Sequence, residues 1–419
     1  MGSCGVDYLA SVAAYPRPDE KLRTEKLETQ GGGNCANALT AAARLGLSPA
    51  LVTKIGGDGL GDGILTELHA DGIDTQHVLR APGHPSPFTY IIVDRQGGTR
   101  TCIHTPGAPL DPEEMGGGLL ASALQGAALV YFDGRLTEAA LLLAREARAR
   151  GIPVLVEAER LRPGLEALLA EADFVVTSAH FPQDWTGEAH LADAVLATAE
   201  RLPRAAWVIT TLGTGGAVLL ERPGAGDAAA SAPERTLAEV LEGELRPALA
   251  AAAAAAGAGT VCVARTGQAI GGGHVASTSG PVRLRYSSSR DPAQAAAQAH
   301  AAGERAAALN ADSGRGASYS GAGAGTGVAA TATAAAVAPG VTAQVTLASI
   351  AQLPKEAVVD TTGAGDAFIG SVLYGICTGM RLPDIMRLAA VVAAAKCTQL
   401  GARPGLPARS QLTCELLGC

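Results

Sequence analysis

VVDTTGAGDAFIG, from Val358 to Gly370, places a turn of small residues where a helix begins. Glycine lets a backbone approach a ligand closely, and the first amides of a helix lie unpartnered at the positive end of its dipole. Such a turn is typical of a phosphate-binding site. Asp366 would repel a resting phosphate, so its carboxylate is better explained as a base that takes a proton from the group attacking the phosphate. An ordinary strand–turn–helix joint is the alternative interpretation if the two glycines are considered alone.

The overall composition restricts the class of protein. The chain has 419 residues, a formal net charge of −8, and eight cysteines with no paired metal or thioredoxin spacing. This acidic balance argues against a nucleic-acid partner, and the isolated cysteines predict free thiols in a reducing compartment. The N-terminal segment lacks a signal-peptide pattern, and no long apolar stretch indicates a membrane partner. We therefore expect a soluble, cytoplasmic protein.

Before about Arg222, short β-branched runs alternate with helical patterns. Phe88–Asp94 and Thr99–Thr105 flank the turn residues RQGG and predict a β-hairpin. ALVYFD, LTEAALLLAREARARG and IPVLVEAE predict a β-α-β unit, and the alternation continues to AAWVITTLG. This order predicts a mostly parallel sheet covered by helices on both faces.

Alanine, glycine and serine dominate residues 223–344, including an unbroken alanine run from Ala250 to Ala256. Such a segment has few large apolar side chains whose burial could offset the entropy of ordering. The composition predicts a mostly disordered insertion that divides a fold made of residues 1–222 and 345–419. Leu237 to Ala256 could be helical without forming a domain, and Pro383 to Leu400 predicts a last long helix.

Three segments carry a resemblance to a known family. VVDTTGAGDAFIG resembles the second signature of the ribokinase-like (PfkB) carbohydrate kinases. QGGGNCANALTAAARLG and KIGGDGLGDGILTEL resemble that family's glycine-rich turns, and VLVEAERLRPGL resembles its ketohexokinase-like and plant members most. The resemblance implies an α/β ribokinase-like fold: a central, mostly parallel twisted sheet flanked by helices, with a small β lid at about residues 7–30 and 86–106.

The resemblance also assigns roles to matching residues. Asp366 matches the catalytic base, and the anion hole for the transferring phosphoryl group matches Gly363, Ala364 and Gly365. The substrate-binding positions match Asp7, Gly33, Asn34, Asn37 and Arg100. The ATP-binding positions match Thr211, Gly213, Gly215 and Cys397. A monovalent cation site in many members matches Asp360 and Thr362.

Local chemistry leaves alternatives open for several of these residues. Asn34 and Asn37 are three residues apart, so both amides can face one pocket, where each offers a donor and an acceptor to sugar hydroxyls. Asn34 could instead cap the helix, Asp7 could be an exposed acid, and Arg100 could be a solvated hairpin residue.

One motif departs from the family pattern. Most ribokinase-like enzymes carry N-x-x-E after a strand, where it helps to position magnesium, but Ser178 and Phe181 stand at the corresponding places here. Glu157 and Glu159 follow the neighbouring strand, where ligands bind in parallel sheets. These two acids could instead hold the water molecules bound to Mg²⁺, and a surface pair is the alternative.

These features favour an ATP-dependent kinase that phosphorylates a hydroxyl of a small sugar, either a ketohexose such as fructose or a pentose such as ribose. ATP and Mg²⁺ are the implied cofactors, and K⁺ is a further candidate. A nucleoside kinase of the same fold and a non-catalytic PfkB-like scaffold are the alternatives, although aromatic residues make up only 3% of the chain, which disfavours a nucleoside. An exposed lid edge would favour a homodimer through the lid.

Overall fold

A nine-stranded and a four-stranded sheet form the framework of the computed structural model, which describes residues 1–224, 232–255, 260–287 and 340–418. In chain order the strands are β1 (Gly5–Val12), β2 (Lys26–Gly32), β3 (Thr53–Gly56), β4 (Val78–Ala81), β5 (Phe88–Asp94), β6 (Thr99–Thr105), β7 (Val130–Phe132), β8 (Val154–Ala158), β9 (Phe174–Thr177), β10 (Trp207–Thr211), β11 (Ala217–Glu221), β12 (Glu234–Thr236), β13 (Thr260–Val263), β14 (Ala269–Gly271), β15 (Val275–Ser277), β16 (Val282–Arg285) and β17 (Val341–Ala348).

Helices connect these strands and cover the large sheet. In chain order they are α1 (Asn34–Leu45), α2 (Gly59–Ala70), α3 (Leu119–Ala123), α4 (Thr137–Ala149), α5 (Leu165–Leu169), α6 (Phe181–Thr186), α7 (Leu191–Arg201), α8 (Leu237–Val240), α9 (Arg246–Ala255), α10 (Ala364–Cys377), α11 (Leu382–Lys396) and α12 (Cys414–Leu417). The helix predicted from Pro383 to Leu400 is α11, which ends earlier because the chain turns after Lys396 to run beside the segment before α10.

The large sheet has the strand order β12-β16-β17-β11-β10-β9-β8-β7, with β15 also paired to β17. β7 to β10 are parallel to one another, whereas β11 runs antiparallel to both β10 and β17. The predicted α/β fold and its β-α-β unit are confirmed.

Alternate residues of the central strands enter two different cores, because successive side chains of a strand point to opposite faces. In β8, Val154 and Val156 pack with residues of α4, α5 and α7, whereas Leu155 packs with residues of α1, α2, α10 and α11. Burial on both faces explains why these strands are nearly continuous apolar runs.

The four-stranded sheet has the order β2-β1-β5-β6 and corresponds to the predicted lid. The predicted hairpin is confirmed: β5 and β6 are antiparallel and have the predicted bounds. On the inner face of the lid, Leu9, Ile91 and Val93 pack with Leu400 from the segment after α11. The lid therefore rests on the body of the protein near the start of α10.

The prediction of a disordered insertion is wrong for residues 232–255 and 260–287, which form α8, α9 and several strands. β15 and β16 pair with β17, and β12 pairs with β16, so this segment extends the main sheet. Leu237, Leu245 and Leu284 are buried in the core. Strands of three or four residues need few apolar side chains, so the surrounding alanine and glycine hide them in the composition. The rest of the predicted insertion, at 225–231, 256–259 and 288–339, lies outside the described residues.

Two further sequence predictions concern cysteines and membrane spans. Six cysteines in the described ranges are free thiols, as the isolated spacing predicts: Cys4, Cys35, Cys102, Cys262, Cys377 and Cys397. Cys419 lies outside those ranges. Within the same ranges, no helix combines the length and the apolar character needed to cross a membrane.

Candidate active site

The start of α10 has the geometry of an anion-binding turn. Gly363 precedes the helix with a φ of 75°, and a Cβ there would lie 2.6 Å from the Cβ of Ala402. A Cβ on Gly365 would meet nothing within 4 Å, so open space adjoins the first turn. The N–H of Ala364 donates to the Thr361 carbonyl oxygen at 3.2 Å. The turn therefore requires glycine at 363 for conformation and leaves room for a ligand at 365.

A cavity of about 830 Å³ opens in front of this turn. Its size falls within the range of about 300–1,000 Å³ that is usual for small-molecule sites. The predicted site residues that line it are Asp7, Gly33, Asn34, Asn37, Arg100, Glu157, Glu159, Thr211, Thr362, Gly363, Gly365 and Asp366. The predicted site residues outside its lining are Ala364, Gly213, Gly215, Cys397 and Asp360. The structure thus brings the predicted base and all the predicted substrate-binding residues to one cavity.

Asp366 is held by a chain of hydrogen bonds that begins at Arg403. Asn37 donates from Nδ2 to Oδ2 of Asp366 at 2.8 Å, and Arg403 donates from Nε to Oδ1 of Asn37 at 2.9 Å. Because arginine can only donate, it fixes which way the Asn37 amide points. Arg403 also donates to Glu67 at 3.0 Å and to the Gly32 carbonyl oxygen at 3.2 Å.

The sequence pattern does not predict the role of Arg403. Its side chain is buried, and its partner Asn37 is 366 positions away. The usable signal is the run Gly31 to Gly33: Cβ atoms on Gly31 and Gly32 would collide with the side chains of Arg403 and Asp7, respectively. The glycine-rich turn therefore lets these two charged groups approach the start of α1.

The surroundings of Asp366 suit a proton acceptor. Burial raises the pKa of Asp366 to about 7; the hydrogen bond from Asn37 opposes this rise, and the nearby carboxylates of Glu159, Asp7 and Asp133 add to it. A general base works best when its pKa lies near the operating pH. Asp366 therefore combines the position and the pKa that such a role requires.

The other predicted substrate-binding residues face Asp366 from the lid and from α1. Burial raises the pKa of Asp7 to about 6, so this carboxyl is not the exposed acid of the alternative interpretation. Asn34 does not cap α1, because it is the first helical residue and its Nδ2 donates to Glu159 at 3.3 Å. Arg100 reaches out of the lid and donates to Thr361 Oγ1 at 2.8 Å. Asn34 and Arg100 thus each have a hydrogen bond inside the site, and Asp7 is buried in its wall.

Glu157 and Glu159 line the cavity and already bind protein groups, so they do not suit direct ligation of Mg²⁺, and their part in holding its water molecules stays a prediction. Burial, followed by the negative charge of Asp366, raises the pKa of Glu157 well above its usual range, and Glu157 accepts a hydrogen bond from Tyr131 at 2.5 Å. Glu159 lies 3.3 Å from Arg135 and 3.5 Å from each of two further arginines. Among the described residues, no group of three or more histidines, cysteines and acids could hold a metal ion. Both acids are therefore committed to protein partners.

At the positions of the missing N-x-x-E motif, the side chains have structural roles. Ser178 Oγ donates to the Glu159 carbonyl oxygen at 2.7 Å and accepts from the Phe181 N–H at 3.2 Å. The Phe181 ring is fully buried in the core. Neither residue supplies a ligand for a metal ion.

Asp360 and Thr362 are close together, as a cation site requires, but a lysine already contacts this position. Asp360 Oδ1 accepts from the N–H and the hydroxyl of Thr362 at 2.9 and 2.8 Å, and Oδ2 accepts from the Gly401 N–H at 2.8 Å. The fully buried Lys396 donates from Nζ to the Asp360 carbonyl oxygen at 2.6 Å. Two like unit charges 4 Å apart repel by roughly 4 kcal/mol at an effective dielectric constant near 20. These residues therefore do not fit a resident K⁺ ion.

The predicted ATP-binding residues are at the edge of the cavity or behind it. Thr211 ends β10 and lines the cavity, and Gly213–Gly215 form the turn between the antiparallel strands β10 and β11. Cys397 is buried, and its carbonyl oxygen accepts the N–H groups of Val359 and Asp360 at 2.8 and 3.2 Å. Its observed contacts hold the segment before α10, and its part in ATP binding stays a prediction.

A family model described as pfkB family carbohydrate kinase matches residues 1–268 and 290–409. This match runs through much of the segment that the composition assigns to an insertion. Ribokinase of Staphylococcus aureus is 34% identical over 98 residues, which are 23% of this chain and 32% of that protein. Ribokinase of Haemophilus influenzae is 36% identical over 78 residues, which are 19% of this chain and 26% of that protein. The matched segments thus span about a third or less of these curated relatives.

Two solved structures share the fold over nearly the whole chain. Arabidopsis thaliana ribokinase, complexed with ribose and ATP, superposes with a TM-score of 0.60 and 18% identity, covering 100% of this chain and 97% of that one. A Burkholderia thailandensis nucleoside kinase, in complex with inosine, superposes with a TM-score of 0.57 and 16% identity, covering 99% and 95%. At these identities the likeness concerns the fold.

Proposed function

Because this chain belongs to the pfkB family of carbohydrate kinases, we propose that it transfers the γ-phosphate of MgATP to a hydroxyl group of a small sugar, with Asp366 as general base. The observation that carries the proposal is the position of this carboxylate. It is 9% exposed, is oriented by Asn37, and sits in the first turn of a helix whose N-terminus faces a cavity of substrate size.

The proposed reaction needs one proton acceptor and one anion-binding surface. The sugar oxygen attacks the γ-phosphorus, its proton passes to Asp366, and the bond from phosphorus to the bridging oxygen breaks to release ADP. The N-terminal amides of α10, next to Gly363 and Gly365, stabilise negative charge on the phosphoryl oxygens. Mg²⁺ carried by the ATP phosphates would supply neutralisation of part of their charge.

A sugar is favoured as acceptor by the polar groups opposite Asp366. Asp7 and Asn34 offer a carboxyl and an amide, which suit vicinal hydroxyls, and Arg100 approaches from the lid. Closure of the lid would exclude water, which otherwise competes with the sugar for the γ-phosphate. A ketohexose such as fructose and a pentose such as ribose are the candidate substrates. The Arabidopsis structure that shares this fold was solved with ribose and ATP.

A nucleoside is the second candidate acceptor. Phe88 lines the cavity, and its ring could stack on a base. A Methanothermobacter thermautotrophicus nucleoside kinase is 27% identical over 94 residues, which are 22% of this chain and 30% of that protein. A non-catalytic scaffold is disfavoured, because it would not need an ionisable carboxyl kept buried at the start of α10.

The test is ADP release by the purified protein with fructose, ribose, tagatose, xylulose, adenosine or inosine, with the phosphorylated product identified by mass spectrometry. We expect turnover with one of the sugars. Turnover confined to adenosine or inosine would replace the sugar with a nucleoside. No turnover by a folded protein that also fails to bind ATP would favour the scaffold.

A further inference from the structure

We propose that the ammonium group of Lys396 is a built-in cation for residues 360–363, termed here the anion-hole loop, so that the protein works without a monovalent metal ion. The inference rests on the proposed function, because this loop leads directly into the anion-binding turn of α10. It replaces the K⁺ site that the resemblance implies for Asp360 and Thr362.

The first support is the burial of Lys396. Lysine is almost never fully buried unless its charge is paired, yet Lys396 is 0% exposed. Its Nζ donates to the Asp360 carbonyl oxygen at 2.6 Å. Lys396 is also the last residue of α11, where the negative end of the helix dipole favours a cation. Burial lowers the pKa of Lys396, and the negative charge of Asp360 opposes this shift. The fold has therefore placed the ammonium at the loop, beside the carboxylate of Asp360.

The second support is the state of the oxygen atoms that a metal ion would need. Potassium sites are built from carbonyl and carboxylate oxygens. The Asp360 carbonyl oxygen is bonded to the ammonium, and both carboxylate oxygens of Asp360 accept hydrogen bonds from Thr362 or Gly401. Every oxygen of Asp360 thus has a protein donor, and a second cation would face the charge of Lys396 at short range.

A tethered ammonium would fix the conformation of the anion-hole loop independently of salt. A metal ion fixes such a loop only when it is bound, and so its effect depends on concentration. A tethered ammonium is present at all salt conditions and links the end of α11 to the residue three positions before Gly363. We therefore expect the anion-hole loop to have the same structure, and the enzyme the same rate, with or without K⁺.

The first experiment compares turnover and melting temperature in KCl, NaCl and choline chloride at equal ionic strength, which keeps screening constant. We expect the wild-type protein to show the same rate and the same melting temperature in all three salts. Activation by KCl over choline chloride, together with a melting temperature that rises and saturates with K⁺, would overturn the proposal.

The second experiment uses Lys396→Met, which keeps the length of the side chain but removes its charge. In choline chloride we expect the rate to fall by at least roughly tenfold, since a displaced anion hole misplaces the phosphoryl group. We expect added K⁺ or NH₄⁺ to restore part of the rate and to raise the melting temperature of this variant only. The matched control is Lys355→Met, at an exposed lysine before the same loop, which should behave as wild type in every salt.

Further results with variants of Lys396 also test the proposal. A folded Lys396→Met protein with full activity and no response to K⁺ would show that Lys396 is not the cation of the loop. If Lys396→Met does not fold, Lys396→Arg keeps the charge and should stay insensitive to salt, whereas a gain of K⁺ dependence in it would contradict the proposal. The melting temperature and the direct binding of Tl⁺, used as a probe for a K⁺ site, are measured without a sugar substrate. They therefore test whether the anion-hole loop binds a monovalent metal ion even if the proposed kinase activity is not found.

Discussion

At the scale of single residues, the chemistry of the site depends on what surrounds Asp366. Burial of the carboxyl group raises its pKa to about 7, the hydrogen bond from Asn37 opposes this rise, and nearby acids add to it. Arg403, which is also buried, fixes the amide of Asn37 and thereby the direction from which Asp366 is held. An aspartate of ordinary pKa would be a weaker proton acceptor near neutral pH.

The raised pKa of Asp366 has a measurable cost in stability. The folded-state pKa is about 7 and the ordinary value is 3.8, so the folded protein binds this proton more tightly. The contribution of Asp366 to the free energy of unfolding therefore falls as pH rises from about 4 through 7. We predict that Asp366→Asn stabilises the protein, and that the gain grows by about 2–3 kcal/mol between about pH 5 and pH 8. Urea unfolding at the two pH values measures it, and an equal gain at both would contradict the prediction.

Arg403 is predicted to be a positioning residue for Asp366. Arg403→Lys keeps a positive charge but loses the planar fork that joins Asn37, Glu67 and the Gly32 carbonyl oxygen. We expect kcat to fall by about 10²-fold, because a small displacement of a catalytic group has that effect, while the KM for ATP stays unchanged. Arg409→Lys, at an exposed arginine, is the control. A folded Arg403→Lys enzyme with the wild-type kcat would rule out the role.

At the scale of elements, local sequence predicts most of the structure. The hairpin of β5 and β6 is predicted to the residue, because a glycine turn separates two β-branched runs. The same local signals predict β7 to β10 and their helices. Composition is a poorer guide: β12, β15 and β16 have three or four residues each. They are stabilised by pairing rather than by their own pattern, because β15 and β16 pair with β17 and β12 pairs with β16. The sequence therefore predicts an insertion where the structure has part of the main sheet.

Two glycines in the turn into α10 are predicted to have different roles. Gly363 is needed for the backbone conformation, whereas Gly365 leaves space for a ligand. Gly363→Ala puts a Cβ at a φ of 75° and against Ala402, so we expect it to lower the free energy of unfolding by about 1–3 kcal/mol. Gly365→Ala meets no protein atom within 4 Å, so we expect stability to be unchanged or raised by up to about 1 kcal/mol.

The enzymatic activity of Gly365→Ala should not follow its stability. We expect Gly365→Ala to lose turnover although it is stable, because its methyl group occupies the space next to the phosphate-binding amides. Thermal unfolding and ADP release, measured on both proteins, provide the comparison. A Gly365→Ala protein with wild-type turnover would show that no phosphoryl group approaches this turn.

At the scale of the whole molecule, the site is assembled from parts that are far apart in the chain. Asn37 and Asp366 are 329 positions apart, and Asn37 and Arg403 are 366 apart. A family signature can predict Asn37 and Asp366, because each lies in its own local motif. Arg403 and Lys396 make their contacts with Asn37 and Asp360 only on folding, so no pattern of neighbouring residues predicts these contacts.

The outer face of the lid is predicted to pair two copies of the chain. Tyr90 and Ile103 are direct partners across β5 and β6, and they are 51% and 53% exposed; Leu27 on β2 is 64% exposed. Exposed apolar side chains on a sheet with open edges favour association. We expect a dimer by size-exclusion chromatography with light scattering, and a monomer for Ile103→Glu. The control is Ile350→Glu, at an isoleucine outside the lid that is 51% exposed. A monomeric wild-type protein would contradict this prediction.

We propose that Asp366 takes the proton from a sugar hydroxyl during phosphoryl transfer from ATP. The most direct measurement is the rate of sugar phosphorylation from about pH 5 to pH 9 for the wild type, Asp366→Asn and the exposed-site control Asp184→Asn, with ATP binding measured for each. We predict a wild-type rate that falls as pH drops through about 7, since protonated Asp366 cannot accept a proton, and a loss of about 10²–10⁴-fold in Asp366→Asn alone, with ATP still bound. A wild-type rate independent of pH over this range, or an Asp366→Asn enzyme as fast as its control, would contradict the account.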